Sequence, residues 1–356
     1  MLRNIFIRNF KCFEALALSF GSLNVFSGLN GMGKSTAIQS ILLTRQSYEQ
    51  DSSLQHIILN GNYVLLGTGK DILFEGASSE DLSLCYEDDT GKTCVNIAYQ
   101  AEQDVLGCQV DGSTIESLRT EFEYLNAGRL SPQTVYEKSS LYVDGRSQLG
   151  IFGQYAAHYL ALHQDDTVTG FDGEKTSLKE IVQLWLNEIS PNIKLNIKLI
   201  ENADLAQINY HYTDAAVRSN EYRPTNVGFG ISYVLPLLTA LAKAQPGSIL
   251  ILENPEAHLH PHGQRKLGEL IAHCAARNVQ IFLETHSDHI LNGIRISVKN
   301  RTIPATETRL FFFDKEIQSQ KVVHTVATPQ ILTDGRLDFW PDGFFDEWEK
   351  ALDDIL

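Results

Sequence analysis

The stretch GLNGMGKS, residues 28–35, satisfies the pattern G-x-x-x-x-G-K-[S/T]. The apolar run LNVFSG that leads into it is typical of a strand, and KSTAIQSILLTRQS after it has apolar residues at helical spacing. Between a strand and a helix, glycines let backbone N–H groups curl round a phosphate, and the helix N-terminus favours negative charge. The sequence therefore predicts an α/β fold with a nucleotide-binding P-loop.

The residues of this loop have expected parts in binding ATP and Mg²⁺. Lys34 is expected to reach the β- and γ-phosphates, and Ser35 to offer its hydroxyl to the metal ion. Four more residues are expected to line the phosphates: Asn30, Gly31, Gly33 and Thr36. Kinases, GTPases and ABC-type ATPases all use such loops, so the motif indicates a nucleotide and leaves its use open.

A second stretch, ILILENPEAHLHP at residues 249–261, is typical of a Walker B strand and the turn after it. Its apolar residues lead to Glu253, a carboxylate that could hold Mg²⁺. In this layout the next residue usually carries the carboxylate that activates water. Here that residue is Asn254, whose amide cannot accept a proton. An active ATPase, a slow one and a protein that only binds the nucleotide are therefore the three alternatives.

Composition restricts the class of protein. The chain has 356 residues, 43% apolar and 21% charged, which indicates a globular protein of one large domain with insertions, or of two domains. It has no apolar run long enough to span a bilayer, and its start lacks a signal-peptide pattern. The five cysteines form no C-x-x-C pair and are expected to be small buried residues. A cytoplasmic protein without a membrane partner is the expectation.

The formal net charge of −15 argues against a broad nucleic-acid-binding surface, because phosphate contacts need clustered Lys and Arg. A local basic strip that contains Arg218 and Arg223 remains an alternative to a plain solvated face. The acidic surface also suits docking onto a basic partner protein.

Patterns along the chain predict one nucleotide-binding core with insertions. Residues 57–125 are predicted to be strand-rich and residues 150–187 to be helical. Further predicted elements are a helix at 231–244, a strand at 249–252, a helix near 263–276, a strand at 279–287 and a hairpin at 309–326. The predicted division is a core of residues 1–48 and 205–327, an inserted β-rich and helical lobe of residues 49–204, and a tail of residues 328–356.

Four further stretches carry a resemblance: IRNFKCFEALALSF (7–20), NVGFGIS (226–232), ENPEAHLHP (253–261) and ETHSDH (284–289). In this order they resemble the ABC-type ATPase heads of the SMC, RecF and overcoming-lysogenisation-defect (OLD) group. The nearest resemblance is to stand-alone bacterial AAA proteins, many from antiviral defence neighbourhoods. YLNAGRLSP (124–132) and WPDGFF (340–345) have counterparts in that subgroup. The implied fold is a P-loop NTPase of ABC-ATPase (SMC/RecF-like) type, with a mixed sheet core and two insertions.

The resemblance implies an ATP-dependent homodimer. VGFGIS matches the signature motif, whose glycines and helix start bind the γ-phosphate of ATP held by the other protomer. Gly228, Gly230 and Ser232 would then act across a dimer interface. A helix start flanked by glycines is physically suited to bind an anion.

Other roles follow from the same resemblance. Glu253 matches the magnesium-holding acid, His286 matches the histidine that senses the γ-phosphate, and EAHLH matches the loop that crosses the dimer interface. Lys11 and Phe13 lie where such heads contact the nucleotide from the outer strands. Candidates for the edge of the site are Arg129 and Gln133, and the Q-loop glutamine is either Gln39 or Gln154.

Two hypotheses cover hydrolysis in a chain with Asn254. In the first, Glu256 polarises the water with His286 and hydrolysis is slow. In the second, Asn254 only positions water and the ATP-bound dimer is a long-lived clamp. Slow hydrolysis is favoured, because Mg²⁺, Lys34 and the opposing signature motif remain, and phosphoryl transfer depends chiefly on positioning and charge.

The sequence predicts no output domain on which this ATPase would act. It lacks sustained heptads, and too little sequence follows residue 300 for a Toprim nuclease domain. The expected partner is a separate effector protein, a nuclease or another toxic effector; the alternative is a RecF-like DNA-repair clamp that binds DNA directly. In the tail, a predicted helical stripe either packs on its own core or docks the partner. Its members are Phe344, Phe345, Trp348, Leu352 and Leu356.

Overall fold

The computed structural model describes residues 1–169, 173–214, 217–318 and 321–355, which form two compact units. The first unit comprises residues 1–120, 306–331 and 337–356. The second comprises residues 121–305 and 332–336. The division predicted from the sequence concerns where insertions enter a core, and it stays a prediction.

The elements follow in chain order. The first unit begins with β1 Leu2–Phe10, β2 Phe13–Ser19, β3 Leu23–Ser27, α1 Lys34–Gln50, β4 His56–Ile58, α2 Gly69–Ile72, β5 Leu82–Asp88, β6 Gly91–Ile97 and β7 Val105–Gly112. The second unit has β8 Phe122–Leu125, β9 Tyr136–Glu137, α3 Ser140–Arg146, α4 Ala156–His163, β10 Thr167–Thr169, β11 Lys175–Ser177, α5 Leu178–Ile189, β12 Ile193–Ile200, β13 Leu205–Asp214, β14 Val217–Arg218, α6 Phe229–Lys243, β15 Ile249–Glu253, α7 Pro261–Ala276, β16 Gln280–Glu284 and α8 Asp288–Lys299. The chain returns to the first unit with β17 Thr308–Gln318, β18 Lys321–Ala327 and α9 Glu347–Ile355.

The first unit contains a six-stranded antiparallel sheet in the order β2–β1–β5–β6–β7–β4. Its strands alternate in burial, as expected for a sheet with one buried face. In β5, for example, Leu82, Leu84 and Tyr86 are buried and the residues between them are half-exposed.

Two cysteines lie opposite each other in this sheet. Cys85 of β5 pairs in register with Cys94 of β6, with 4.0 Å between their Cα atoms, and the two form a disulfide. Cys12 and Cys108 are free and half-buried, and Cys274 is free and buried. The expectation that all the cysteines are small buried residues is therefore wrong except for Cys274, because strand register sets which residues face each other.

The strands β3, β17 and β18 also lie in the first unit. β3 runs parallel to β17, and β18 is antiparallel to β17. All five residues of β3 are buried, and the phosphate loop and α1 follow it directly. A fully buried strand therefore fixes the point at which the loop begins.

In the second unit β8, β15 and β16 are parallel, with β15 between the other two. β15 and β16 have the sequences ILILE and QIFLE, which are apolar runs typical of parallel strands buried on both faces. Their register pairs Glu253 with Glu284, so both strands end at the same edge. Ligands of open α/β sheets bind at the carboxyl ends of the strands, which is where the candidate acids lie.

Most predicted elements are present, with shifted boundaries. The predicted helices at 34–47, 231–244 and 263–276 correspond to α1, α6 and α7, and the hairpin at 309–326 to β17 and β18. The prediction of helix throughout 150–187 is wrong in its middle, where β10 pairs with β11. The β-branched run Thr167–Thr169 favours strand over helix there.

The tail does not form the predicted helical stripe. α9 begins only at Glu347, and Phe345 has a φ of 54°, so Phe344 and Phe345 lie in a turn before the helix. Phe344 is buried and meets Phe312 edge-on at 5.4 Å between ring centroids, so this turn packs on its own unit. The side chain of Trp348 and all of Leu356 lie outside the described residues.

In the described part of the chain, every helix is too short or too polar to cross a lipid bilayer.

Candidate nucleotide site

The phosphate loop has the backbone that its glycines allow. Gly28 and Gly33 have φ angles of 136° and 104°, in the region that disfavours side chains. A Cβ on Gly28 would lie 2.2 Å from the carbonyl oxygen of Phe313, and one on Gly33 would lie 2.6 Å from the ring of Phe13. Both positions therefore require glycine for backbone angle and for space.

The residues predicted to bind phosphate and metal lie on this loop and the first turn of α1. Lys34 is buried, and its Nζ donates to the carbonyl oxygens of Gly28 and Leu29 at 2.9 and 3.0 Å. Asn30, Gly31 and Ser35 are exposed. The loop thus holds an ammonium group inside its curve and presents backbone and a hydroxyl to solvent, as a phosphate cradle requires.

Three further residues that were predicted to contact the nucleotide contact protein groups: Phe13 and Lys11 from the outer strands, and Thr36 from the first turn of α1. Phe13 is only 1% exposed and packs behind Gly33, so its ring supports the loop, and the expected direct contact with nucleotide is wrong. Thr36 is also buried, with its hydroxyl 3.5 Å from the Cys12 sulfur. Lys11 donates to Gln39 Oε1 at 2.7 Å, and burial lowers its pKa.

His324 is a supporting residue that the sequence did not indicate. Its Nδ1 lies 3.1 Å from the carbonyl oxygen of Met32 in the loop, and its ring meets Phe13 edge-on at 5.8 Å between centroids. The residue lies on β18, nearly three hundred positions along the chain from the loop. Only the pairing of β17 with β3 makes this contact possible.

The Walker B turn, residues 253–256, begins with a carboxylate held by two neutral donors. Tyr124 Oη donates to Glu253 Oε1 at 3.0 Å, and the Ala127 amide donates to Oε2 at 3.1 Å. Burial raises the pKa of Glu253. Among the described residues this carboxylate has no ion pair. The charge of Arg129 offsets part of this rise in the pKa of Glu253. A partly desolvated carboxylate that forms no ion pair is suited to bind a divalent cation, so the donor set fits Mg²⁺.

Asn254 has an unusual environment for a residue in the catalytic position. Its φ is 42°, a left-handed conformation that asparagine tolerates better than most residues. The Asn254 amide donates to the Glu284 carbonyl at 2.8 Å, which ties the turn to the end of β16. Its side-chain Oδ1 is buried and lacks a hydrogen-bond partner among the described residues. The turn geometry therefore gives asparagine a conformational reason to be there.

Glu256 and His286 are brought together at the ends of the two strands. Glu256 Oε2 accepts from the Thr285 hydroxyl at 2.8 Å, and Oε1 accepts from the His286 amide at 2.9 Å. His286 itself is exposed. Both carboxylate oxygens of Glu256 are thus engaged in fixing the segment that carries His286.

The start of α6 differs in part from the predicted signature. Gly228 is exposed, and a Cβ there would meet only Ile231 Cδ1 at 3.9 Å. A Cβ on Gly230 would lie 2.4 Å from the His258 carbonyl oxygen, so this glycine is needed for packing within the protomer. The Ser232 hydroxyl is buried, which differs from the exposed position expected at a dimer interface. Gly228 is the predicted residue best placed to meet a ligand.

The remaining candidate residues differ in their contacts. Arg129 is buried against the Walker B turn and donates to the carbonyl oxygens of Glu253 and Asn254. Gln133 bonds to Ser131 in its own turn, and Gln154 accepts from the Phe152 amide. The choice between Gln39 and Gln154 as the Q-loop residue stays open.

The candidate basic strip is weaker than the sequence indicated. Arg218 lies 3.3 Å from a carboxylate oxygen of Glu221, which partly neutralises its charge.

Three family models match parts of the chain. Residues 1–144 match one described as an AAA ATPase domain. Residues 175–292 match one described as "AAA domain, putative AbiEii toxin, Type IV TA system". Residues 303–355 match one described as a protein of unknown function (DUF3696). No curated protein matches the sequence.

Solved structures of similar fold are heads of SMC proteins. An SmcHead bound to the C-terminal winged-helix domain of ScpA is 12% identical, with 93% of this chain and 98% of that chain covered and a TM-score of 0.56. An Smc head bound to the C-terminal domain of ScpA, from Pyrococcus furiosus, is 11% identical, with 99% of each chain covered and a TM-score of 0.53. The predicted fold class is confirmed. The partial matches and this fold together support an ATPase of the ABC/SMC type.

Proposed function

We propose that the chain binds ATP through its phosphate loop and hydrolyses it slowly in a homodimer that regulates or drives a separate effector. The observation that carries the nucleotide part is the loop itself: Gly28 and Gly33 leave no space for a side chain, and the Lys34 ammonium group donates to the carbonyls of Gly28 and Leu29. A glycine-containing loop that curls round an ammonium group at the start of a helix is suited to bind a phosphate.

The resemblance assigns Mg²⁺ binding to Glu253 and to Ser35. When bound, the ion neutralises developing charge on the phosphoryl oxygens and orients them. This chain's own residues do the rest: Lys34 binds phosphate, and Tyr124 and Ala127 hold the Glu253 carboxylate in one orientation. His286 is exposed at the end of the neighbouring strand, where the resemblance assigns it contact with the γ-phosphate.

The proposal of a homodimer is based on the start of α6. Gly228 exposes the N-terminal amides of a fifteen-residue helix, which favours an anion. The first turn of α6 has no acidic residue, so it is free to receive an anion, and ATP bound to a second copy would supply one. Each copy would then contribute Lys34 to one pocket and Gly228 to the other.

A separate effector is proposed because the family models that match this chain describe two AAA domains and one protein of unknown function. The family model that matches residues 175–292 is described as a toxin of a toxin–antitoxin system, and the similar SMC heads are bound to domains of ScpA. Both descriptions concern other proteins, and both are consistent with an ATPase that acts with a partner. A nuclease in antiviral defence is the effector class that we propose.

Glu256 provides the test of how water is activated. Because both of its oxygens already accept hydrogen bonds from residues 285 and 286, we expect Glu256→Gln to lower the turnover number by less than about tenfold. Gln retains an acceptor for one of the two donors. Steady-state phosphate release by the purified chain checks this, with Glu269→Gln in α7 as a matched control. A loss of about a hundredfold would make Glu256 the general base.

A further inference from the structure

Arg129 is a buried cation that binds backbone carbonyls of the Walker B turn. Its Nη1 donates to the Glu253 carbonyl at 2.7 Å and to the Asn126 carbonyl at 3.2 Å, and its Nη2 donates to the Asn254 carbonyl at 2.7 Å. Two consecutive carbonyls are thus held by one planar group. Because the guanidinium fork is rigid, it fixes the direction of the chain at the left-handed residue 254.

The segment that carries Arg129 also holds the Glu253 side chain. Tyr124 and the Ala127 amide donate to its two carboxylate oxygens. Residues 124–129 therefore determine the backbone of Glu253 through Arg129 and its carboxylate through the other two donors. A shift of this segment would move the whole metal-binding group.

The guanidinium also contacts the start of α6. It lies over the ring of Tyr233, 4.8 Å from the centroid, and the Tyr233 hydroxyl is 3.4 Å from the Ala127 carbonyl oxygen. The same ring meets His258 edge-on at 4.9 Å between centroids. Tyr233 is the fifth residue of α6, whose exposed start at Gly228 is the proposed anion site.

A purely structural role does not require a charge at this position. Arg129 is 3% exposed, and burial lowers its pKa to about 10. In the described residues no carboxylate lies within ion-pair distance of it. Burying a cation that forms no ion pair is unfavourable, and the three carbonyl hydrogen bonds and the charges of Glu253 and Glu256 offset that cost only in part. Since an apolar side chain of similar size would often be at least as stabilising, the charge has a use beyond packing.

We propose that Arg129 is a positioning residue, which holds Glu253 in the orientation that binds Mg²⁺ and couples that orientation to the start of α6. The inference rests on the proposed ATP and Mg²⁺ binding and adds a residue to it. Tyr233 connects the start of α6 to the guanidinium, so a movement of that helix start would pass through Arg129 to residues 253 and 254. Arg129 touches neither nucleotide nor metal in this scheme.

The test uses Arg129→Lys, which keeps the charge and loses the bidentate fork. The affinity for a fluorescent ATP analogue is measured with and without Mg²⁺, and hydrogen exchange of the Ala127 and Asn254 amides is measured in the nucleotide-free protein. We expect the affinity without Mg²⁺ to be unchanged and the increase in affinity that Mg²⁺ causes to be about tenfold smaller or less still. We also expect faster hydrogen exchange at both amides. The matched control is Arg45→Lys, since Arg45 is likewise buried and donates to the carbonyls of Leu118 and Thr120.

Each outcome decides the proposal. If Arg129→Lys retains the full increase in affinity that Mg²⁺ causes, or if Arg45→Lys loses as much of that increase, the positioning role is wrong. If Arg129→Lys does not fold, Tyr233→Leu removes the ring beneath the guanidinium, and an unchanged Mg²⁺ gain in that variant overturns the coupling. A wild-type chain that fails to bind the ATP analogue at all would refute the proposed function instead.

Discussion

The variant Asn254→Glu is expected to hydrolyse ATP about a hundredfold faster than the wild type. A positioned general base typically contributes about 10²- to 10⁴-fold, and Asn254 cannot accept the proton of the attacking water. The lower part of that range is expected, because glutamate in the left-handed backbone of this turn costs about 1–2 kcal/mol. Phosphate release under saturating ATP measures the effect.

The matched control for this gain is Asn254→Gln. Glutamine has the length and the backbone cost of glutamate but lacks a proton acceptor. We expect it to turn over no faster than the wild type. Equal acceleration by glutamine and glutamate would show that side-chain length limits the rate. No acceleration by either would show that the missing base does not limit it, and slow hydrolysis would then need another cause.

The second large effect is expected for Lys34→Met, which should weaken ATP binding about a hundredfold or more. Hydrogen bonds from a charged donor contribute about 1.5–3 kcal/mol each, and every 1.4 kcal/mol is about tenfold in affinity. Methionine keeps the unbranched stem of the buried side chain and removes the ammonium group. Isothermal titration with ATP and Mg²⁺ measures the loss.

A surface lysine controls for the general loss of charge in this experiment. Lys70 is exposed, with its Nζ 3.6 Å from a carboxylate oxygen of Glu102, and Lys70→Met should bind ATP as the wild type does. Thermal unfolding of both variants shows whether the loop still folds without the Lys34 hydrogen bonds to Gly28 and Leu29. An unchanged affinity in folded Lys34→Met would contradict the assignment of the phosphate site.

The sequence was sufficient to predict the parts of the site that are local in the chain. The loop at 28–35 and the helix from Lys34 follow from a short motif and its spacing, and the strand ending at Glu253 follows from an apolar run. The resemblance also placed Glu256 and His286 in one region, which the parallel register of β15 and β16 produces.

The contacts that hold these parts in place could not be predicted, because they join residues far apart in sequence. Arg129 reaches Glu253 across 124 positions, and His324 reaches Met32 across 292. Side-chain direction was also inaccessible: Phe13 and Ser232 are buried although their motifs indicated contact with ligand. The left-handed conformation of Asn254 is set by its amide bonding to Glu284 and its carbonyl to Arg129.

Gly230 is unsuited to a test of a shared pocket because of its packing. Any side chain there would strike the His258 carbonyl, so its substitution would disturb the protomer itself. Gly228 has open space and a φ of −54°, which any residue can adopt, and aspartate is a favourable residue at a helix start. Gly228→Asp therefore places a negative charge in the proposed anion site while α6 remains stable.

The decisive measurement is the ATPase rate of a mixture of Lys34→Met and Gly228→Asp chains, each inactive alone. In a mixed dimer, one pocket combines the intact Lys34 of one copy with the intact Gly228 of the other, and the second pocket has both defects. With random mixing and independent pockets, we expect about a quarter of the wild-type rate to return. A mixture that stays as inactive as its components, in dimers shown to exchange subunits, would contradict a nucleotide pocket shared between two copies.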